Sequence, residues 1–355
     1  MGFVATDDPA FELAIATEAD RAARWRLHAA EWGKGYPSAD LFVQREHALA
    51  HSPFGQGQLQ MWLLQGPDGP VASLEVYAAP AWVIQPRPAV AEHEHTEDDL
   101  QAEVQLQTLF AFASVLVEPA LRGRGYAAAL MAHAVAEAGR QGAAATSLYS
   151  DVGADLYRRS GHYQHVARES VRAVRDDRWP DAVEALLLGD VADLLAAEHE
   201  QSGAWLAASS VPAIVEVPTV ERIGWFAVRS QYRAWARGQQ PSELVGARHR
   251  QGFVLWTADA AEPVLHVLLW RPQSMMDAEL LAAAAAAQAR ELGLQQVIWW
   301  DADRDTGLDP YRRSDLQPPD ALARTRNTAL PMLAWLGDKR QMPLVWMGIE
   351  RFGWC

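Results

Sequence analysis

Leu109 to Val117 is an apolar run that passes directly into Glu118-Pro119-Ala120-Leu121-Arg122-Gly123-Arg124-Gly125-Tyr126-Ala127, and an alanine-rich stretch continues from there to Arg140. A buried strand that enters a helix through a basic, glycine-containing turn aims free backbone N–H groups and the positive end of a helix dipole at one point. Gly123 and Gly125 let the backbone approach an anion there, and Arg122 and Arg124 add charge. The segment predicts a pyrophosphate site, the alternative being a plain left-handed turn with surface arginines. It lacks the P-loop's lysine followed by Ser or Thr, and it lacks a third glycine at the dinucleotide-binding spacing. Nucleotide hydrolysis and dinucleotide binding fall away on those grounds.

Around this unit the patterning predicts a strand at Phe11–Ala16, helices at Glu18–Trp32 and Ala39–Ala50, and a hairpin of Leu59–Gln65 with Val71–Ala78 about Gly66-Pro67-Asp68-Gly69. Gln85 to Glu103 is rich in Pro, His and acidic residues and reads as a long loop. After the helix ending at Arg140 come a strand at Ala144–Tyr149, a short helix at Ala154–Ser160 and a strand at His165–Val174. Polar residues ending in Pro180 suggest a boundary, dividing the chain into 1–177 and 178–355. The second part is rich in Trp. Within it Phe253–Thr257 and Val264–Trp270 read as paired strands, Asp277–Leu292 as a helix with a buried Ala282–Ala287 face, and Gln296–Trp300 as a strand. That succession repeats the one at 109–149, so the second part reads as a degenerate copy of the first, without a residue-level repeat.

The chain has 355 residues, half of them apolar, and 45 acidic against 31 basic side chains, for a formal charge of -14. Such a chain can bury a large core, and its charge repels a phosphate backbone, which argues against a nucleic-acid partner. Cys355 is the single cysteine, so a reducing, cytoplasmic setting is expected. Neither a leader-type segment at the N-terminus nor a membrane-length apolar run is visible in the sequence.

Leu156-Tyr157-Arg158-Arg159-Ser160-Gly161-His162-Tyr163 follows the glycine turn at a telling distance. Arg122, Gly125 and Ala127 resemble the Q/R-x-x-G-x-G/A signature of GNAT N-acetyltransferases, and 156–163 resembles that superfamily's later helix motif. Ser150 stands where the superfamily usually has asparagine, and His162 followed by Tyr163 where it has its final aromatic. The resemblance implies an α/β (α+β) GNAT fold with a mixed central sheet in residues 1–177, followed by a second α/β domain. It implies acetyl-CoA as cosubstrate between the strands near 115 and 148. Backbone groups of Val115, Leu116 and Val117, residues Arg122, Gly123, Arg124, Gly125, Tyr126 and Ala127, and Ser150 would hold it. Tyr157 would lie near the sulfur, where a phenol can protonate a departing thiolate.

A base must take a proton from the acceptor ammonium, and the candidates are Glu75, Glu118, Glu103 and the loop histidines. Glu75 lies on a strand that would border the acceptor cleft, although an alternating strand could equally turn it to solvent; a water relay is also open. Ser73-Leu74-Glu75, 147–153, 252–257 and the ending Phe352-Gly353-Trp354-Cys355 resemble the fungal lysine N6-acetyltransferase family. That implies a small lysine-like amine as acceptor, bound with help from the second domain; a xenobiotic amine, a protein lysine or noncatalytic acyl-CoA binding are the alternatives. No metal is expected. His93-Glu94-His95 reads as a solvated loop, Asp301 to Gly307 departs from calcium-loop spacing, and Cys355 has no evident base partner.

Overall fold

The computed structural model describes residues 11–85, 103–207, 212–259, 261–302, 316–337, 345–347 and 349–354. The loop expected from Gln85 to Glu103 lies outside the described residues together with its histidines, except at its two ends, where Gln85 and Glu103 pair as strand residues; Asp303 to Gly307, the side chains of Glu103 and Asp301, and Cys355 also lie outside them.

The first half runs β1 (Glu12–Ile15), α1 (Glu18–Trp32), α2 (Ala39–Ala50), α3 (Pro53–Gln58), β2 (Leu59–Gly66), β3 (Gly69–Gln85), β4 (Glu103–Val117), α4 (Tyr126–Arg140), β5 (Ala145–Ser150), α5 (Asp155–Arg158), β6 (Tyr163–Gln164) and β7 (Ala167–Ala173). Local chemistry sets the helix starts. Thr17 and Asp20 form a reciprocal capping box on α1, Ser38 caps α2, and Ser52 with Pro53 opens α3. The second half runs β8 (Glu184–Leu187), α6 (Ala192–Ala207), β9 (Ala213–Glu216), α7 (Val220–Ala236), β10 (Leu244–His249), β11 (Gly252–Ala258), β12 (Val264–Arg271), α8 (Met275–Glu291), β13 (Gln296–Ala302), β14 (Leu322–Thr325), β15 (Leu330–Trp335) and β16 (Val345–Met347).

Two mixed sheets result. One has the order β1-β2-β3-β4-β5-β15-β6, with β9 pairing β3 and β16; the other has the order β14-β7-β13-β12-β11-β10-β8. In each, a helix links a parallel pair, α4 between β4 and β5 and α8 between β12 and β13. Both sheets also carry a register irregularity at matching places, in β3–β4 and in β11–β12. Of the predicted Ala282–Ala287 face of α8, Ala282, Ala284, Ala285 and Ala286 are buried, while Ala283 and Ala287 are half-buried because they fall on the helix's outer side.

The halves exchange strands. β7 leaves the first half to lie between β13 and β14, and β15 returns from the second half to lie between β5 and β6. Met332 and Leu333 on β15 are wholly buried in the first sheet. Residues 178–355 thus supply an interior strand to the sheet that carries the glycine turn. One face of that sheet packs on α4, through Leu74, Val76, Phe112 and Leu148. The opposite face, through Tyr77, Ala111 and Ala113, packs on α2, α3 and α7 and reaches the second sheet.

Candidate active site

β4 is bulged in its last third. Ser73 pairs with Leu116 and Glu75 with Ala113, so Leu74 faces two residues, and Ser114 adopts φ 51°. On the other edge, the parallel pairing of β4 with β5 stops at Phe112 and Leu148. From Ala113 onward the two strands diverge, and the β5-side backbone of Ala113 to Val117 has no strand partner among the described residues. Val115, Leu116 and Val117 lie in this stretch.

The turn at 122–127 is built from left-handed glycines, Gly123 at φ 78° and Gly125 at φ 91°, with Gly125 as the N-cap of α4. No side chain caps α4, and the N–H groups of Gly123 to Ala127 meet no acceptor among the described residues. Orphan donors at a helix dipole's positive end fit a pyrophosphate. Arg124 is exposed, whereas Arg122 pairs with Glu31 of α1 and lies 3.4 Å from the Val117 carbonyl that it can donate to. Tyr126 packs on Phe11. The Ser150 hydroxyl is turned into its own loop, donating to the Gly153 carbonyl at 2.6 Å and accepting from Val152 N–H.

Glu75 is buried rather than turned to solvent. Its carboxylate accepts from Trp25 Nε1 of α1 at 3.0 Å and from Ser114 Oγ of the bulge at 2.8 Å. Burial pushes its pKa up to about 7, with the nearby Glu46 charge adding to the rise, while the two hydrogen bonds and Arg45 pull it back. Glu118, the other described candidate, is held by Arg24 at 2.7 Å and braces the turn against α1. Tyr157 on α5 sits in the apolar cluster with Phe112 and Leu148. Burial, and secondarily Asp151, push its phenol up to about 12, so it stays protonated at neutral pH. His162 fills the place of the motif's aromatic, beside Tyr157 and Phe112, and accepts or donates to Thr146 and Ser160 hydroxyls. Burial lowers its pKa to about 4. Glu75 faces Ala113, and Tyr157 packs with Phe112 and Leu148, so both border the point where β4 and β5 part.

Several residues around this point carried no legible role in the sequence. Trp25 and Ser114 hold Glu75, and Arg45 and Glu46 of α2 form a buried pair beside it. Between the sheets, Tyr149 of β5 meets Trp300 of β13, and Arg351 lies over both Trp300 and Trp354. Three donors that could approach a metal, Glu18, His47 and His51, are exposed at the surface and within 4.8 Å of one another, an arrangement common without an ion. No helix among the described residues is long and apolar enough to cross a membrane.

A bulged strand that parts from its parallel neighbour and runs into an uncapped glycine turn at the head of a helix defines a GNAT N-acetyltransferase, an enzyme acting with acetyl-CoA. The Acetyltransferase (GNAT) family model matches residues 95–162. The chain belongs to the family of the LYC1 GNAT-like C-terminal domain, whose model matches residues 168–355. Its fold is similar to that of a GCN5-related N-acetyltransferase from Kribbella flavida, at TM-score 0.52 and 17% identity over 92% of this chain and 72% of that one. A conserved protein from Enterococcus faecalis, described as a probable N-acyltransferase, is similar at TM-score 0.53 and 13% identity, over 92% and 72% of the two chains. A comparison with curated protein sequences finds no match.

Proposed function

We propose that this acetyltransferase acts on the primary amine of a small, lysine-like molecule, with Glu75 as base and Tyr157 as acid. The observation that carries the assignment is the setting of Glu75: a buried carboxylate oriented by Trp25 and by the bulge residue Ser114, with a proton affinity near that of the medium. Bound acetyl-CoA supplies an activated acetyl group as a thioester. Arg124 and the free N–H groups of Gly123 to Ala127 hold its pyrophosphate, and the unpaired backbone of Val115 to Val117 holds and polarises the acyl arm. Glu75 takes the proton that the ammonium must lose before its nitrogen can attack. Tyr157, protonated at neutral pH, gives its proton to the departing sulfur. The resemblance of Ser73-Leu74-Glu75, 147–153, 252–257 and the ending Phe352-Gly353-Trp354-Cys355 to the fungal lysine N6-acetyltransferase family supports a lysine-type acceptor, and the chain's single cysteine supports a reducing setting.

Thiol release from acetyl-CoA, measured across pH with L-lysine, polyamines and peptides, tests this reading. Because Glu75 works only when ionised and its pKa lies near 7, kcat/KM should climb as pH rises through about 7. Glu75→Gln should remove that limb, and Tyr157→Phe should lower kcat by ~10²–10⁴-fold with acetyl-CoA affinity retained. A Glu75→Gln enzyme with an unaltered pH profile and rate would return the base role to a water relay.

A further inference from the structure

The space between the two sheets contains a cation that the acetyl-transfer reading does not use. Arg351 follows Glu350 on the 3-10 turn of residues 351–353 that packs on β12, and it is 8% exposed. Its guanidinium lies 4.4 Å from the centre of the Trp300 ring and 3.8 Å from that of Trp354. Among the described residues it has no ion pair and no side-chain hydrogen bond, and its Nε is buried without an acceptor. Its neighbours add positive charge. Arg326 lies 3.7 Å from the centre of the same Trp300 ring, and Arg229 stacks on Trp354 at 4.5 Å. Asp259 answers Arg229, at 2.8 Å, rather than Arg351. Repulsion from Arg229 and Arg326 adds to burial in lowering the Arg351 pKa to about 9, while Asp259 and Glu262 offset part of the fall. His266 is kept neutral there by burial and by Arg351.

A buried, stacked guanidinium with an unused donor edge is costly unless an anion completes it, and its planar fork matches a carboxylate. Position decides which anion. Leu148 of β5 points to the α4 face, where the pyrophosphate turn lies, while Tyr149, its neighbour, points to the opposite face and meets Trp300. Arg351 therefore lies on the acceptor side, by the end of β5 where β4 and β5 part, and a run of ring and guanidinium contacts through Trp354, Arg229 and Trp225 joins it to Tyr77 on the face that bears Glu75.

We infer that Arg351, walled by Trp300 and Trp354 and flanked by Arg326, binds a carboxylate of the acceptor, so that the substrate is an amino acid whose reacting amine lies toward Glu75. This rests on the acetyl-transfer reading for the place of the amine. It makes Arg351 a specificity residue supplied by the second half of the chain.

The test uses the whole protein and amine pairs that differ by one carboxylate: L-lysine and 1,5-diaminopentane, L-ornithine and 1,4-diaminobutane, L-tryptophan and tryptamine. The carboxylate-bearing member of the preferred pair should lead by about 10–100-fold in kcat/KM, the range for a hydrogen-bonded charge pair. Arg351→Gln should shrink that lead to within about threefold, mainly through the amino acid's KM, and Arg351→Lys should restore part of it. Unaltered CoA affinity by calorimetry shows that each variant is folded. Equal use of both members, preference for the decarboxylated one, or an Arg351→Gln loss shared equally by both overturns the inference. Should no amine release thiol, acetyl transfer to small amines fails instead, and calorimetry on the CoA-saturated protein decides about Arg351. L-Lysine binding that 1,5-diaminopentane does not match and that Arg351→Gln abolishes supports the site; no binding by any of the three amino acids overturns it.

Discussion

Residues 118–125 link β4 to α4, whereas residues 272–274 alone link β12 to α8, and the two helix heads differ accordingly. At α4 the N-cap is a left-handed glycine, no side chain bonds the first turn, and the donors stay open. At α8 the N-cap is Ser274, whose hydroxyl accepts from Asp277 N–H at 3.1 Å. Asp277 in turn accepts from Gln273 N–H at 2.9 Å and from His249 Nδ1 at 2.6 Å. The second half keeps the strand bulge and the parallel pair yet closes its anion cradle with its own carboxylate. The same architecture thus leaves room for an anion only where the first helical turn is left unsatisfied. The second half serves the site differently, through a strand, β15, and an aromatic and arginine wall.

The largest expected effect comes from separating the halves. A chain ending at residue 177 loses β15 from between β5 and β6, exposing the ladder of Ala145–Ser150 and the surface that buries Met332 and Leu333. Burial of each such side chain contributes ~1.5–3 kcal/mol, against total stabilities of about 5–15 kcal/mol. The fragment 1–177 should lack cooperative thermal unfolding and CoA binding, and mixing it with 178–355 during refolding should restore both. A folded, CoA-binding 1–177 would show that the exchanged strand is dispensable.

Next comes Gly125→Val. A β-branched residue at φ 91° strains the backbone by roughly 1–3 kcal/mol, and relief of that strain moves the N–H groups that the turn presents. CoA affinity should fall by about 10–100-fold in calorimetry. An unchanged affinity would remove the turn from the cofactor site.

Local chemistry made one part of this molecule readable in sequence and long-range pairing hid the rest. The strand–turn–helix at 109–140 was legible because its signal lies within one stretch, and α1 and α2 were legible through the local patterning of their own residues. Strand exchange was not. β7 and β15 have the lengths and patterns of ordinary strands, and nothing in a strand's alternation names the sheet it will join. α7 escaped notice because Arg222, Arg229 and Arg233 occupy its inward face, one stacked on Phe54 and another bonded to Asp259, so its buried stripe does not read as apolar. Glu75 could be placed on a strand, but its burial depends on Trp25, fifty residues earlier, and on Glu46. Arg351 stood beside a recognised ending, Phe352-Gly353-Trp354-Cys355, with no local sign that it would face Trp300.

The smallest effect isolates the second helix head. Ser274→Ala removes the one side-chain acceptor that meets the Asp277 N–H, while Asp277 keeps its bonds to Gln273 and His249. Loss of a serine N-cap typically costs about 1 kcal/mol, so the urea midpoint should drop modestly. The helix stays packed through Ala278, Leu281, Ala282 and Ala285, all wholly buried, so no wider rearrangement is expected. CoA affinity should match that of the unaltered protein, because the donors at α8 remain shielded by the Asp277 carboxylate, which repels an incoming phosphate. Gly252 bears on the same point: a Cβ added there would meet Asp277 Oδ2 at 3.1 Å, which leaves little free space beside that carboxylate. A Ser274→Ala protein with altered CoA affinity, or with a second CoA equivalent bound, would mean that the second helix head is not closed and that both halves keep a working cradle.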